Sequence, residues 1–151
     1  MRMAEEERVA ARLQRLEDIL EIQRLLLDYG VHLDARDLGA YSRLFCEDGE
    51  WTGATGSAVG PAAIQAMLEA NLPGNPPAPG ATTWHLMANP IVDVDGDRAW
   101  SRVMWVLLRR DDGDRPAIAV TGHYEDVLAR ERGRWKFMRR EAFVDVGRPI
   151  E

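Results

Sequence analysis

The stretch that decides the fold is Leu25–Asp37, LLLDYGVHLDARD. It ends a helical segment and sets Tyr29, His32, Asp34 and Asp37 beside an apolar run. Through it and upstream, Ile19, Ile22, Leu26, Tyr29 and Leu33 recur at spacings of three and four. That is one buried stripe of a helix. The Tyr29 ring therefore points inward, where a phenol packs its ring and still offers a hydroxyl. Asp34 is harder to place, because at about 100° per residue it lies roughly 140° round from Tyr29 on an ideal helix. Periodicity alone does not put both groups in one cavity. Gly30 is where the helix would bend or fray to allow it, with the short helix after Asp37 folding back.

Outward from this stretch, the pattern predicts a first helix from about Ala4 to Leu33. Asp37 is a suitable N-cap for a second helix, Leu38–Phe45, that buries Tyr41, Leu44 and Phe45. CEDGEW then turns at Asp48–Gly49 into a short strand around Trp51, and Gly53–Gly60 reads as a loop. Pro61 opens a third helix, Ala62–Asn71, with Ile64, Met67 and Leu68 on its inner face. Pro73, Pro76, Pro77 and Pro79 rule out a regular element after it, so segment 73–80 is a candidate lid. From Ala81 the period changes to that of strands. Four long runs follow, separated at Asp95–Gly96, Asp112–Gly113 and Gly133, which read as hairpin turns. The predicted class is α+β: a cone-shaped, curved antiparallel sheet of four long strands and a short one. Three N-terminal helices cover its concave face and leave a cavity between helix and sheet.

Composition bounds the function. The 151 residues are 46% hydrophobic, enough for one domain with a real core, and no repeat or second domain is visible. No apolar run approaches a membrane span, and the charged start MRMAEEERVAARLQRLED lacks a signal-peptide core, so a cytoplasmic protein is expected. Net charge is −6 without a basic block, which argues against a nucleic-acid partner. The single cysteine, Cys46, beside Phe45, reads as a small buried hydrophobe. Five tryptophans point to an aromatic-lined cavity or an interface between copies as well as to core.

Chemistry rests on few residues. On the first long strand Thr83, His85, Met87 and Asn89 share a face; on the third, Thr121, His123 and Glu125 do so; on the fourth, Met138, Arg140 and Ala142. A lone strand histidine is ordinarily a core histidine satisfied by a carbonyl. A carboxylate in reach changes the weighing, because Asp34 would hold one ring nitrogen and leave the other to take a proton. A metal would need His32, Asp34, His85 and His123 to converge, yet no HxH, HExxH or Cys/His spacing is present. There is no GxSxG elbow, P-loop or GxGxxG either, so no cofactor is expected.

The segments Tyr29–Asp37, Leu44–Trp51, His85–Pro90, Asp95–Ala99, Gly122–Asp126 and Trp135–Arg140 follow in one order. Together, over about Ile19 to Val146, they resemble the SnoaL-like branch of the nuclear transport factor 2-like superfamily. Its members include scytalone dehydratase, bile acid 7α-dehydratase, a hexachlorocyclohexane dehydrochlorinase, ketosteroid isomerases and polyketide cyclases. They also include the structural β subunits of ring-hydroxylating dioxygenases. The resemblance implies a cone of curved sheet with a long helix across its mouth. It pairs Asp34 with His85, matches the pocket tyrosine to Tyr29 and an arginine after the last-strand tryptophan to Arg140, or to Arg139 one place off. Where some dehydratases carry a polar catalytic residue, this chain has Val103–Val106, which weakens the case for water elimination; His123 is the candidate replacement.

The expected function is thus a cofactor-free lyase, a dehydratase or other β-eliminase, on a small apolar ring such as a steroid, terpenoid or aromatic polyketide. Isomerisation or cyclisation in the same pocket is the next reading. A non-catalytic ligand-binding or oxygenase-subunit-like protein is the third. His85 would be the base, Asp34 its orienter, Tyr29 the donor to a developing oxyanion, and Arg140 the holder of an acidic group. His123, Met87, Trp105 and Trp51 would contact the substrate. An apolar outer sheet face, with Trp100 or Trp105 on it, predicts a homo-oligomer, a trimer or dimer by resemblance.

Overall fold

A computed structural model describes residues 1–72 and 83–147. Segment 73–80, the expected lid, lies outside the described residues. The elements are α1 (Arg2–Asp34), α2 (Leu38–Ser42), β1 (Phe45–Gly53), β2 (Gly56–Val59), α3 (Pro61–Asn71), β3 (Trp84–Asp95), β4 (Arg98–Arg110), β5 (Pro116–Glu131) and β6 (Arg134–Val146). The strands form one curved, unclosed sheet in the order β2-β1-β6-β5-β4-β3.

Only the second half of α1 meets the body of the protein. Ile22, Leu25, Leu26, Tyr29 and Leu33 are buried, whereas residues 1–17 are all exposed. Ile19, counted in the stripe, is half-buried where the helix first reaches the sheet. The helix does not fray at Gly30 but runs unbroken to Asp34. A Cβ there would stand 3.2 Å from the His85 carbonyl oxygen and 3.3 Å from Met87 Cε. Glycine at this point lets α1 lie close on β3.

The second helix is shorter than its pattern. Asp37 caps it through a 2.9 Å bond from the Ala40 N–H, as expected, but it stops at Ser42. Phe45 opens β1 instead, because β6 offers ladder partners there: the Phe137 N–H donates to the Leu44 carbonyl. The expected Gly53–Gly60 loop contains a strand. β2 pairs antiparallel with β1, Trp51 opposite Ala58. The bare edge of β1 supplies the bonds that its Gly-Ser-Ala sequence would not earn by propensity.

β3 to β6 form the expected meander, and β1 docks parallel to β6. Gly96 and Gly133 turn in the left-handed region, at φ 58° and 78°. Two bulges re-aim side chains. On β3 the register shifts between Ala88 and Ile91, Asn89 takes φ 51°, and its Nδ2 donates to Met104 Sδ on the exposed side. Asn89 therefore leaves the face of His85. On β6 Leu128 pairs with Phe137 and Val127 with Arg139, so Phe137 and Arg140 both turn inward. Trp105 is inside; Trp84, Leu86, Trp100, Met104 and Ile118 give the outer face an exposed apolar character. Among the described residues no helix is long and apolar enough to cross a membrane.

Candidate active site

Asp34, the last residue of α1, reaches across to β3 with both oxygens. Oδ2 accepts the His85 backbone N–H at 2.7 Å, and Oδ1 lies 2.6 Å from His85 Nδ1. With the carboxylate ionised, Nδ1 carries the proton and Nε2 keeps its lone pair. The pair is largely sheltered, at 14% side-chain exposure for His85 and 18% for Asp34.

His85 is on the wall of a cavity of about 410 Å³ between the helices and the sheet. Leu33, Leu68, Leu72, Leu107, Val120 and Val144 make the wall apolar; Tyr29, Tyr41, Trp51, Trp105 and Tyr124 make it aromatic. Its one lysine or arginine, among the described residues, is Arg36. Both tryptophan rings lie across glycines. A Cβ on Gly53 would come within 2.5 Å of Trp51, and one on Gly122 within 2.7 Å of Trp105.

Tyr29 is buried, and its ring meets those of Tyr41, Tyr124 and Phe137 with centroids 4.7–5.9 Å away. Its hydroxyl accepts the Trp51 Nε1–H at 2.9 Å, which leaves the phenol proton to donate elsewhere. Burial pushes the phenols of Tyr41 and Tyr124 well above the ordinary range, so both stay protonated. They are donors, not bases.

Three expected site residues lie elsewhere. Arg140 is fully buried and does not line the cavity. Asp126 grips it with two bonds, to Nε at 2.7 Å and Nη2 at 2.8 Å, and Ser101 Oγ donates to the same carboxylate. Its guanidinium carbon sits 4.1–4.2 Å from the ring centres of Tyr29, Tyr124 and Phe137. Burial works against its charge, but Asp126 alongside outweighs that and raises the guanidinium above its ordinary value. Met87 packs under α1 at Gly30 and is also off the cavity wall. His123 faces outward on β5, with Nδ1 2.7 Å from Asp145 Oδ2 and its ring stacked on Phe143. The inward phase of β5 is Gly122, Tyr124, Asp126 and Leu128. Among the described residues no three His, Cys, Asp or Glu side chains converge as a metal site would require.

Sequence reasoning missed Asp126 and Arg36. Asp126 carried a signal, since it lies in the apolar phase of its strand; Arg140 stands opposite it on β6. Arg36 carried none beyond its place in the opening stretch.

A curved sheet covered by a long N-terminal helix, with an Asp–His pair set into an apolar cavity, defines a small-molecule pocket of the cone-shaped α+β class. The chain belongs to the SnoaL-like domain family, whose model matches residues 14–141, within the nuclear transport factor 2-like superfamily. It is 33% identical over 128 residues to the uncharacterised protein Rv2910c of Mycobacterium tuberculosis, covering 83% of this chain and 84% of that one. A nuclear transport factor 2-like protein with a cystatin-like fold from Novosphingobium aromaticivorans superposes with a TM-score of 0.80 at 31% identity, over 90% of this chain and 87% of that one. A candidate scytalone dehydratase from the same organism does so with a TM-score of 0.70 at 28% identity, over 87% of each chain.

Proposed function

We propose that this protein is a cofactor-free lyase, acting by β-elimination on a small, largely apolar ring substrate. The observation that carries the reading is the double use of Asp34, which fixes both the backbone and the ring of His85 beside an open apolar cavity. His85 Nε2 takes a proton from carbon next to a carbonyl. The electron pair passes to the carbonyl oxygen, and its return expels the β-substituent; a hydroxyl leaves as water on taking the proton back from the His85 imidazolium. Asp34 stabilises the imidazolium formed in the first step. Tyr29, whose proton is freed by the bond from Trp51, donates to the developing oxyanion or leaving oxygen. Isomerisation would use the same first step and return the proton to another carbon.

The similarity to a candidate scytalone dehydratase supports elimination. The cavity is open and not plugged by its own tryptophans, which supports a substrate site over a purely structural subunit. The test is a screen of hydroxylated steroids, terpenoids and aromatic polyketide intermediates for turnover without added cofactor. On a substrate so found, His85→Ala lowers turnover ~10²–10⁴-fold, the usual worth of a general base. Asp34→Asn also slows it, since Asn cannot stabilise the imidazolium and favours the wrong tautomer. A folded His85→Ala protein with undiminished turnover would refute the assignment.

A further inference from the structure

The task first expected of Arg140, holding an acidic group of the substrate, is closed to it by Asp126. We propose that Arg36 is the anion-binding residue of the cavity and takes a carboxylate, so that the substrate is an apolar ring acid. This rests on the reading of the cavity as the substrate site.

Three observations carry it. Among the described residues, Arg36 is the sole lysine or arginine on the cavity wall, and no carboxylate side chain lines it. The two nearest in sequence are engaged elsewhere: Asp37 Oδ1 accepts the Ala40 N–H as the cap of α2, and Asp34 has both oxygens committed to His85. An unneutralised cation in an apolar recess attracts an anion more strongly than one in water. Next, the guanidinium is underused. Its Nη1 donates to the Leu33 carbonyl at 2.8 Å, and Nε is buried without a partner. A planar fork with spare donors matches the two oxygens of a carboxylate.

The third observation is the backbone. Arg36 follows the C-cap Ala35 in the left-handed region, at φ 58°. Glycine is the favoured residue just beyond a helix end, because it takes this conformation without steric cost. Arginine takes it only with strain. The turn itself is made by backbone, with the Arg36 N–H on the Leu33 carbonyl. A side chain is not needed to end the helix, so its presence fits a second task on the cavity wall.

The experiment is calorimetric titration of the full chain with 2-naphthoate and with its neutral isostere 2-naphthamide. The acid should bind at least tenfold more tightly than the amide. Arg36→Gly should abolish that preference while leaving the unfolding temperature unchanged or higher, since it relieves the strained backbone. Arg36→Lys, which keeps the charge and loses the fork, should retain part of it. Equal binding of acid and amide to the wild type overturns the proposal. So does Arg36→Gly weakening both ligands alike, or no naphthoate binding at millimolar concentration. His85→Ala should keep the preference for acid over amide, even if both ligands bind with altered strength, so the two readings separate: lost turnover with acid preference intact leaves Arg36 in place. An absent acid preference alongside His85-dependent turnover removes only Arg36.

Discussion

Arg140 and Asp126 offer the sharpest test of the packing, because resemblance points Arg140 at the substrate and geometry points it at the core. Both side chains have zero exposure. Asp126→Ala removes three hydrogen-bond acceptances at 2.7–2.8 Å, two from Arg140 and one from Ser101. It leaves a guanidinium enclosed by three aromatic rings with no counter-charge. Breaking one side of a buried pair costs about 3–5 kcal/mol. At roughly 2–4 °C per kcal/mol for a domain of this size, the melting temperature should fall by about 6–20 °C. Replacing both charges, Asp126→Leu with Arg140→Met, removes the stranded cation and should recover most of the loss. Differential scanning calorimetry of wild type, single and double variants reads this directly. The reasoning fails if Asp126→Ala melts within about 2 °C of wild type, or if the double variant is no more stable than the single one.

Two further expectations concern α1. Burial opposes ionisation of Asp18, yet hydrogen bonds from Arg130, Trp135 and Gln14 outweigh it and hold the carboxyl below its ordinary value. A carboxyl depressed in the native state contributes stability that is complete above its unfolded value, about 3.9, and is lost as pH falls through the lowered one. Melting curves of the wild type should therefore drop more steeply below about pH 4 than those of Asp18→Asn; parallel curves would remove Asp18 from the acid response. Gly30→Ala sets about 1 kcal/mol of helix propensity against a Cβ 3.2 Å from the His85 carbonyl. Overpacking of this kind costs about 1–3 kcal/mol, so chemical denaturation should show a net loss of up to about 2 kcal/mol, and a gain would mean that α1 shifts freely on β3.

What the sequence showed, and what it hid, divides at the bulges. The α1 stripe and the turns at Gly96 and Gly133 were legible because helix period and left-handed turn chemistry are local properties. The Asp34–His85 pair was legible only through resemblance; helix geometry alone left it open. Simple alternation failed at Asn89 and at Met138, where an added residue reverses which side chains face inward. β2 was hidden because its pairing is conferred by β1 and not by its own residues. His123 was misplaced for a different reason. Polar residues on β5 read as a site face, while the buried phase held Gly122 and Asp126, neither of which looks like core on its own.

The position of β3 explains why one carboxylate holds both the backbone and the ring of His85. β3 is the edge strand of the sheet, paired on one side with β4, with His85 opposite Leu107. An edge strand presents unpaired N–H groups, and a buried one must find an acceptor. Asp34 supplies it for His85 with one oxygen, which anchors the C-terminal end of α1 to the strand. The other oxygen is then held at the height of the same residue's ring and takes Nδ1. Ring orientation thus follows from satisfying a backbone group, and needs no separate device. It also places the imidazole between the carboxylate and the cavity: His85 is on the wall and Asp34 is behind it. Under the proposed function, a substrate in the cavity would meet the imidazole, and the carboxylate that stabilises the imidazolium would stay out of its reach.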